Sequence, residues 1–169
     1  NLDLAVAAAE NAVTELRNKD YVGVVAFDDT YSWVVPITKA EDKDRIKEKI
    51  ETIPEGGGTT IKPAVKAAVE AVKDCDAEIK HVVLLTDGQG ETTNFMDVMG
   101  QCKQSGITLS TVAVGADSDT SLLEKLAEGC GGRYYYSDIS TDIPKIFARE
   151  VFLSGETYLQ NGTFTLSVN

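Results

Sequence analysis

Two residues in this chain have the types and settings to do chemistry together. Thr59 follows three glycines in "GGGTT" (56–60), and Asp87 ends the apolar run "HVVLLTDG" (81–88). A hydroxyl and a carboxylate are hard oxygen donors of the kind that Mg²⁺, Mn²⁺ or Ca²⁺ prefer. Glycines let the backbone fold tightly enough to turn the Thr59 side chain into a cleft. Asp-Gly is also a common turn signal, so Asp87 alone carries little weight; its pairing with the glycine loop is what gives it more.

Other chemistries fit less well. A nucleotide-binding loop needs GxxxxGK[ST] after a strand, whereas Thr-Thr-Ile-Lys follows the glycines here, and GxGxxG is absent. A phosphoacceptor site would want an acidic pair, a strand-end Thr and a Lys after the next strand. Asp28, Asp29 and Thr86 supply the first two, but "TVAVGADSD" (111–119) offers no Lys. His81, the single histidine, opens a buried strand at the end opposite the loops, which suits a structural residue rather than a general base. There is no GxSxG elbow. Cys75, Cys102 and Cys130 form no CxxC and read as buried free thiols.

The elements that must position Thr59 and Asp87 follow from periodicity. Helical spacing marks 3–17, 41–53, 61–73, 94–104, 120–132 and 141–153, with Thr60 placed to cap the third of these and Pro63 in its first turn. Short β-branched runs mark strands at 21–27, 33–37, 81–86, 107–114 and 133–137, the first two joined as a hairpin by "DDTYS" (28–32). "TFTLSV" (163–168) alternates and makes one further strand candidate. Alternating strands and helices give an α/β, doubly wound, mostly parallel sheet with one antiparallel edge hairpin. Ligands of such sheets gather beyond the carboxyl ends of the strands, where both Thr59 and Asp87 fall.

Composition bounds the partner. A formal charge of −11 in 169 residues argues against nucleic acid and fits a cationic partner, or one joined through a metal. No apolar run reaches the roughly 18–20 residues of a membrane helix, so direct membrane insertion is not expected. The opening "NLDLAVAAAENAV" has no initiator Met and no signal-peptide pattern, and reads as cut from something longer.

"YVGVVAFDD", "IPEGGGTTIKPAVKAAV", "KHVVLLTDGQ", "GITLSTVAVGADSDTSLLEKLAEGCGGRYYY" and "IPKIFARE" resemble a von Willebrand factor type A (VWA) domain through nearly all of residues 1–153. The version most alike occurs in large bacterial membrane proteins that also carry an amidotransferase-like domain. The resemblance implies a metal-ion-dependent adhesion site (MIDAS), in which an Asp-x-Ser-x-Ser loop, a Thr and an Asp hold a divalent ion that a partner's acidic residue completes. The family's Thr falls on Thr59 and its Asp on Asp87. The first strand and its Asp-x-Ser-x-Ser loop have no counterpart here, and "DDTYS" and "DSDTS" (117–121) read as decoys.

The expected protein is thus a VWA-like domain over 1–153 and a tail over 154–169. It is a non-enzymatic protein-binding module that is membrane-associated through other parts of its parent. The alternative is a scaffold for an adjacent amidotransferase-like or chelatase-like unit. With two donors, Mg²⁺ affinity is expected in the roughly millimolar range or weaker. The central slot of the missing strand is expected to be filled by residues outside this chain, in preference to "TFTLSV" of this chain or of a strand-exchanging second copy.

Overall fold

The computed structural model describes residues 2–53, 60–86, 94–114, 120–137, 142–154 and 162–168. In chain order the elements are α1 (Leu2–Glu15), β1 (Tyr21–Phe27), β2 (Tyr31–Lys39), α2 (Lys43–Ile50), α3 (Ile61–Asp74) and β3 (Ile79–Thr86). Then follow α4 (Met96–Ser105), β4 (Ile107–Val114), α5 (Thr120–Gly129), β5 (Gly131–Ser137), α6 (Ile143–Ser154) and β6 (Gly162–Val168). The strands make one sheet in the order β2-β1-β6-β3-β4-β5. All neighbours are parallel except the edge hairpin β1–β2.

Two cores explain the layers. On one face α1, α2 and α6 cover Val22, Val24, Val83 and Leu85, with Val13, Ile50 and Phe147 buried among them. On the other, α3, α4 and α5 cover Val25, Phe27, Val82 and Leu84, with Val65, Val69 and Leu126 buried. Neighbouring strand residues therefore serve opposite cores, the two-residue period of a strand. That is why "VVLL" has no polar face: a strand covered on both sides needs apolar residues at every position.

The edge hairpin is different. Along β2 the central Val35 is buried and Tyr31, Ser32, Pro36, Thr38 and Lys39 are exposed. Pro36 cannot donate to a ladder and is tolerated on an edge strand. Helix boundaries shift by a few residues from the periodic pattern, and α2 is shorter, starting after Asp42, whose carboxylate accepts the Arg45 N–H. Thr60 does occupy the N-cap of α3, but its hydroxyl makes no capping bond there.

One expectation is overturned. The slot between β1 and β3 holds β6, the "TFTLSV" segment, rather than a strand from outside the chain. Tyr21 to Ala26 pair with Thr163 to Val168 on one side, and Ile79 to Leu85 pair with Gly162 to Val168 on the other. The alternation of β6 had suggested a half-exposed strand. Main-chain pairing is indifferent to that pattern, and an empty slot would leave two facing rows of N–H and C=O groups unpaired at about 1–3 kcal/mol each. The demand of the two flanking strands wins.

Removing residues 162–169 is therefore expected to abolish the cooperative thermal transition at neutral pH and to drive aggregation. Circular dichroism melting and size-exclusion chromatography check this; an unchanged Tm would show that the sheet does not depend on β6.

Candidate functional site

Because β1, β6, β3, β4 and β5 run parallel, their carboxyl ends share one edge of the sheet, closed by Phe27, Val168, Thr86, Val114 and Ser137. Thr59 and Asp87 both lie outside the described residues, in the segments 54–59 and 87–93. Their chain neighbours are placed. Thr60, one residue beyond Thr59, donates its N–H to the Asp28 carbonyl at 3.1 Å, which ties the start of α3 to the turn after β1. Thr86, one residue before Asp87, ends β3 and is 1% exposed. The strands that lead to these two anchors, β1 and β3, are separated only by β6, about 10 Å at the usual strand spacing.

The far end of the Asp87 segment is held as well. Asn94 accepts the Met96 N–H on its Oδ1 at 2.7 Å, and its carbonyl accepts from Lys62 Nζ at 2.7 Å. Lys62 also meets the Asp97 carboxylate at 3.1 Å, with Lys66 at 3.9 Å. The hydrogen bond from Lys62 holds Asp97 below the usual carboxylate range. Lys62 thus binds α3, which follows the glycine loop, to α4, which follows the Asp87 loop. Nothing in the sequence announced this link; residues 62 and 97 meet only because the two helices pack side by side.

In the "DDTYS" turn, Asp28 Oδ1 accepts the Thr30 N–H at 3.0 Å while the Asp28 N–H donates to the Thr30 carbonyl at 2.8 Å. The carboxylate is engaged in its own hairpin turn, with Tyr31 and Ser32 already in β2. Among the described residues, no group of three or more His, Cys, Asp or Glu side chains is placed to hold a metal.

The same edge carries an apolar rim that the sequence did not reveal. The exposed large hydrophobics among the described residues are Tyr31, Met96 and Tyr136. Tyr31 begins β2 opposite Phe27, Met96 begins α4, and Tyr136 lies opposite Ala113 near the end of β5. All three therefore stand at the carboxyl end of the sheet. Met96 is 72% exposed beside Phe95, which is 2% exposed, so adjacent residues of like polarity divide between surface and core.

At the opposite end sits a buried ionic cluster. Glu150 on α6 is 0% exposed and receives both Nε and Nη2 of Arg133, at 3.0 and 2.9 Å. His81 Nε2 lies 3.0 Å from the same carboxylate, and its Nδ1 lies 2.6 Å from Thr108 Oγ1. His81 is thus a structural bridge from β3 to α6 and β4, far from the loops. Burial pushes the Glu150 carboxyl up, but the hydrogen bonds from His81 and Arg133 outweigh it and bring it down to about 2.

With this geometry in place, comparison with known proteins is informative. The von Willebrand factor type A domain profile matches residues 1–149, and the chain belongs to that family. Calcium-activated chloride channel regulator 4 of Homo sapiens is 27% identical over 165 residues, covering 95% of this chain; the chain spans 18% of that regulator's length. Many solved structures share the fold. BatB from Bacteroides thetaiotaomicron superposes with TM-score 0.78 at 20% identity, over 92% of this chain and 89% of its own. An aerotolerance-related membrane protein from Bacteroides fragilis gives 0.74 at 20% identity, over 89% and 87%. Proximal thread matrix protein 1 from the mussel byssus, with a zinc-occupied MIDAS motif, gives 0.69 at 15% identity, over 91% and 42%. Members of the family are commonly protein-interaction modules with a divalent-metal site and are typically not enzymes. No helix among the described residues is long and apolar enough to cross a membrane.

The ionic cluster has a pH signature. Glu150 is held below its ordinary value of 4.5, so the unfolded chain takes up the proton first as pH falls. Its stabilising contribution is complete above pH 4.5 and is lost between about 4.5 and 2, on the order of 3 kcal/mol in all. Glu150→Gln is expected to cost about 3 kcal/mol at pH 7, by leaving Arg133 and His81 without their carboxylate, and to flatten the stability profile below pH 4.5. Urea melts at pH 7, 5, 4 and 3 check both statements.

Proposed function

We propose that this chain is a non-enzymatic protein-binding module of a larger, membrane-associated protein. It engages its partner across the carboxyl edge of the sheet, through a divalent cation that Thr59 and Asp87 help to hold. The observation that carries this reading is the sparse rim of Tyr31, Met96 and Tyr136, the exposed large hydrophobics among the described residues, all at the carboxyl end of the sheet, with Tyr31 and Tyr136 on its two opposite outer strands. Aromatic residues and Met are enriched in interface cores. A partner carboxylate would complete the coordination of the cation while its neighbouring residues cover the rim.

Family membership and the zinc-occupied site of the mussel protein support a cation at this position. Mg²⁺, Mn²⁺ and Ca²⁺ all suit one hydroxyl and one carboxylate. The likeness to the Bacteroides fragilis membrane protein supports a place at a membrane, reached through other parts of the parent protein. One neutral and one charged donor are few for an ion that takes six or more oxygens, so affinity for the free ion is weak and partner binding and metal binding reinforce one another.

Photo-crosslinking from Tyr31, Met96 and Tyr136 in the full-length parent protein, with and without roughly millimolar Mg²⁺, tests the reading. Metal-dependent crosslinks to a protein partner at all three positions are expected, and Asp87→Ala is expected to reduce them at least about tenfold, the loss of about 1.4 kcal/mol. Crosslinks that ignore both EDTA and Asp87→Ala would refute the metal-mediated mode. A partner that crosslinks from Tyr31 alone, with none captured from Met96 or Tyr136, would refute the surface.

A further inference from the structure

The outer edge of the sheet carries a second surface, away from the Thr59 and Asp87 segments. β2 ends the strand order, so it pairs with β1 on one side and, among the described residues, with no strand on the other. Beside it runs a groove of about 320 Å³. One wall is made by the consecutive β2 residues 35–39, the other by Asp42, Arg45, Ile46 and Lys49 of α2 and its cap. Successive strand residues point to opposite faces of a sheet, so a groove lined by five in a row lies along the backbone edge rather than over one face. The α2 residues stand at i, i+3, i+4 and i+7, a single helix face turned toward the strand. Lys39 pairs with Tyr21, which puts the groove at the amino end of the sheet.

The charge of this groove runs against that of the chain. Acidic residues outnumber basic ones by 27 to 16 overall, yet the groove gathers Lys39, Arg45 and Lys49 against Glu41 and Asp42. Asp42 is engaged as the α2 cap, where its carboxylate accepts the Arg45 N–H at 3.2 Å. All three cations are exposed, and none forms an ion pair among the described residues. The Lys39 ammonium stands 5.9 Å from the centre of the Tyr21 ring, which holds it at the edge without neutralising it. Lys and Pro on an edge strand keep it from pairing with copies of itself, and that accounts for Lys39 and Pro36. It does not account for Arg45 and Lys49, which lie on α2 and line the same groove.

We propose that this groove docks an extended acidic segment of a protein partner, added as a strand to the free edge of β2. Main-chain hydrogen bonds to β2 supply the pairing, and carboxylates of the segment meet Lys39, Arg45 and Lys49. Residues 35–39 span about 16 Å, so about five residues of the segment are held. Acidic side chains at alternate positions share one face of the added strand, the face beside α2. A second copy of the chain suits the groove poorly, because pairing two β2 strands brings two cationic sets onto one seam. Binding here needs no divalent cation, which separates it from the surface at the carboxyl end.

The test titrates the whole chain, isotope-labelled and in EDTA at low salt, with a peptide of about seven residues that alternates Glu and Val. Binding is expected, with NMR shifts at residues 35–39 and 42–49 and slowed amide exchange along β2. A peptide of the same length alternating Lys and Val should not bind. Arg45→Gln combined with Lys49→Gln, both exposed helix positions, should weaken the Glu peptide at least about tenfold with Tm unchanged. Asp87→Ala should leave its binding as it is. N-methylation of alternate peptide residues, which removes donors and keeps the charge, should abolish binding. No binding up to about 1 mM, equal binding of the Lys peptide, or indifference to N-methylation would overturn the proposal. So would a concentration-dependent dimer formed through β2, or phosphatidylserine vesicles that perturb these residues where the peptide does not.

Discussion

The sheet depends on one constraint, that the space between β1 and β3 cannot stay empty. Each of those strands turns a full row of N–H and C=O groups toward it, in the middle of a sheet covered on both faces. Water cannot satisfy groups buried in that way, so a strand must. β6 does so from the far end of the chain, in parallel, and its insertion makes one continuous sheet of two halves that otherwise share no strand pairing. α3 packs over β6, and Thr60 at its N-cap and Lys62 in its first turn lie at the carboxyl end of the sheet, so the same insertion also supports that end.

The two ends of the sheet have divided the polar chemistry between them. At the amino end, Glu150, Arg133, His81 and Thr108 close on one another, with the carboxylate fully buried and bonded from two sides. A buried charge is tolerable only when it is matched in this way. At the carboxyl end the pattern is reversed. There a backbone bond from Thr60 to Asp28 and a side-chain bond from Lys62 to the Asn94 carbonyl tie the described elements together, while Tyr31, Met96 and Tyr136 are left on the outside.

The chain spans a small part of the human regulator to which it is similar, whereas it covers most of the solved BatB chain. A fold shared at 20% identity does not need particular residues, and a pattern of burial suffices to specify it. In this chain that pattern is the alternation of Val22, Val24 and Val83 toward one core and Val25, Val82 and Leu84 toward the other.

Sequence alone determined the order and type of the elements, because periods of two and of about 3.6 residues are local properties that "YVGVVAF" and "IKPAVKAAVEAV" display without any partner. It also singled out Thr59 and Asp87, since a glycine run and a strand-end Asp-Gly are local signals and the resemblance assigned both a role. What it could not determine was long-range. Alternation in "TFTLSV" describes side chains, whereas its place at the sheet centre is decided by the unpaired backbone of two strands more than seventy-five residues upstream in sequence. The meeting of His81 with Glu150 and of Lys62 with Asp97 likewise has no period and no motif. Each is set by which helix lies over which strand, and that is fixed only when both cores close.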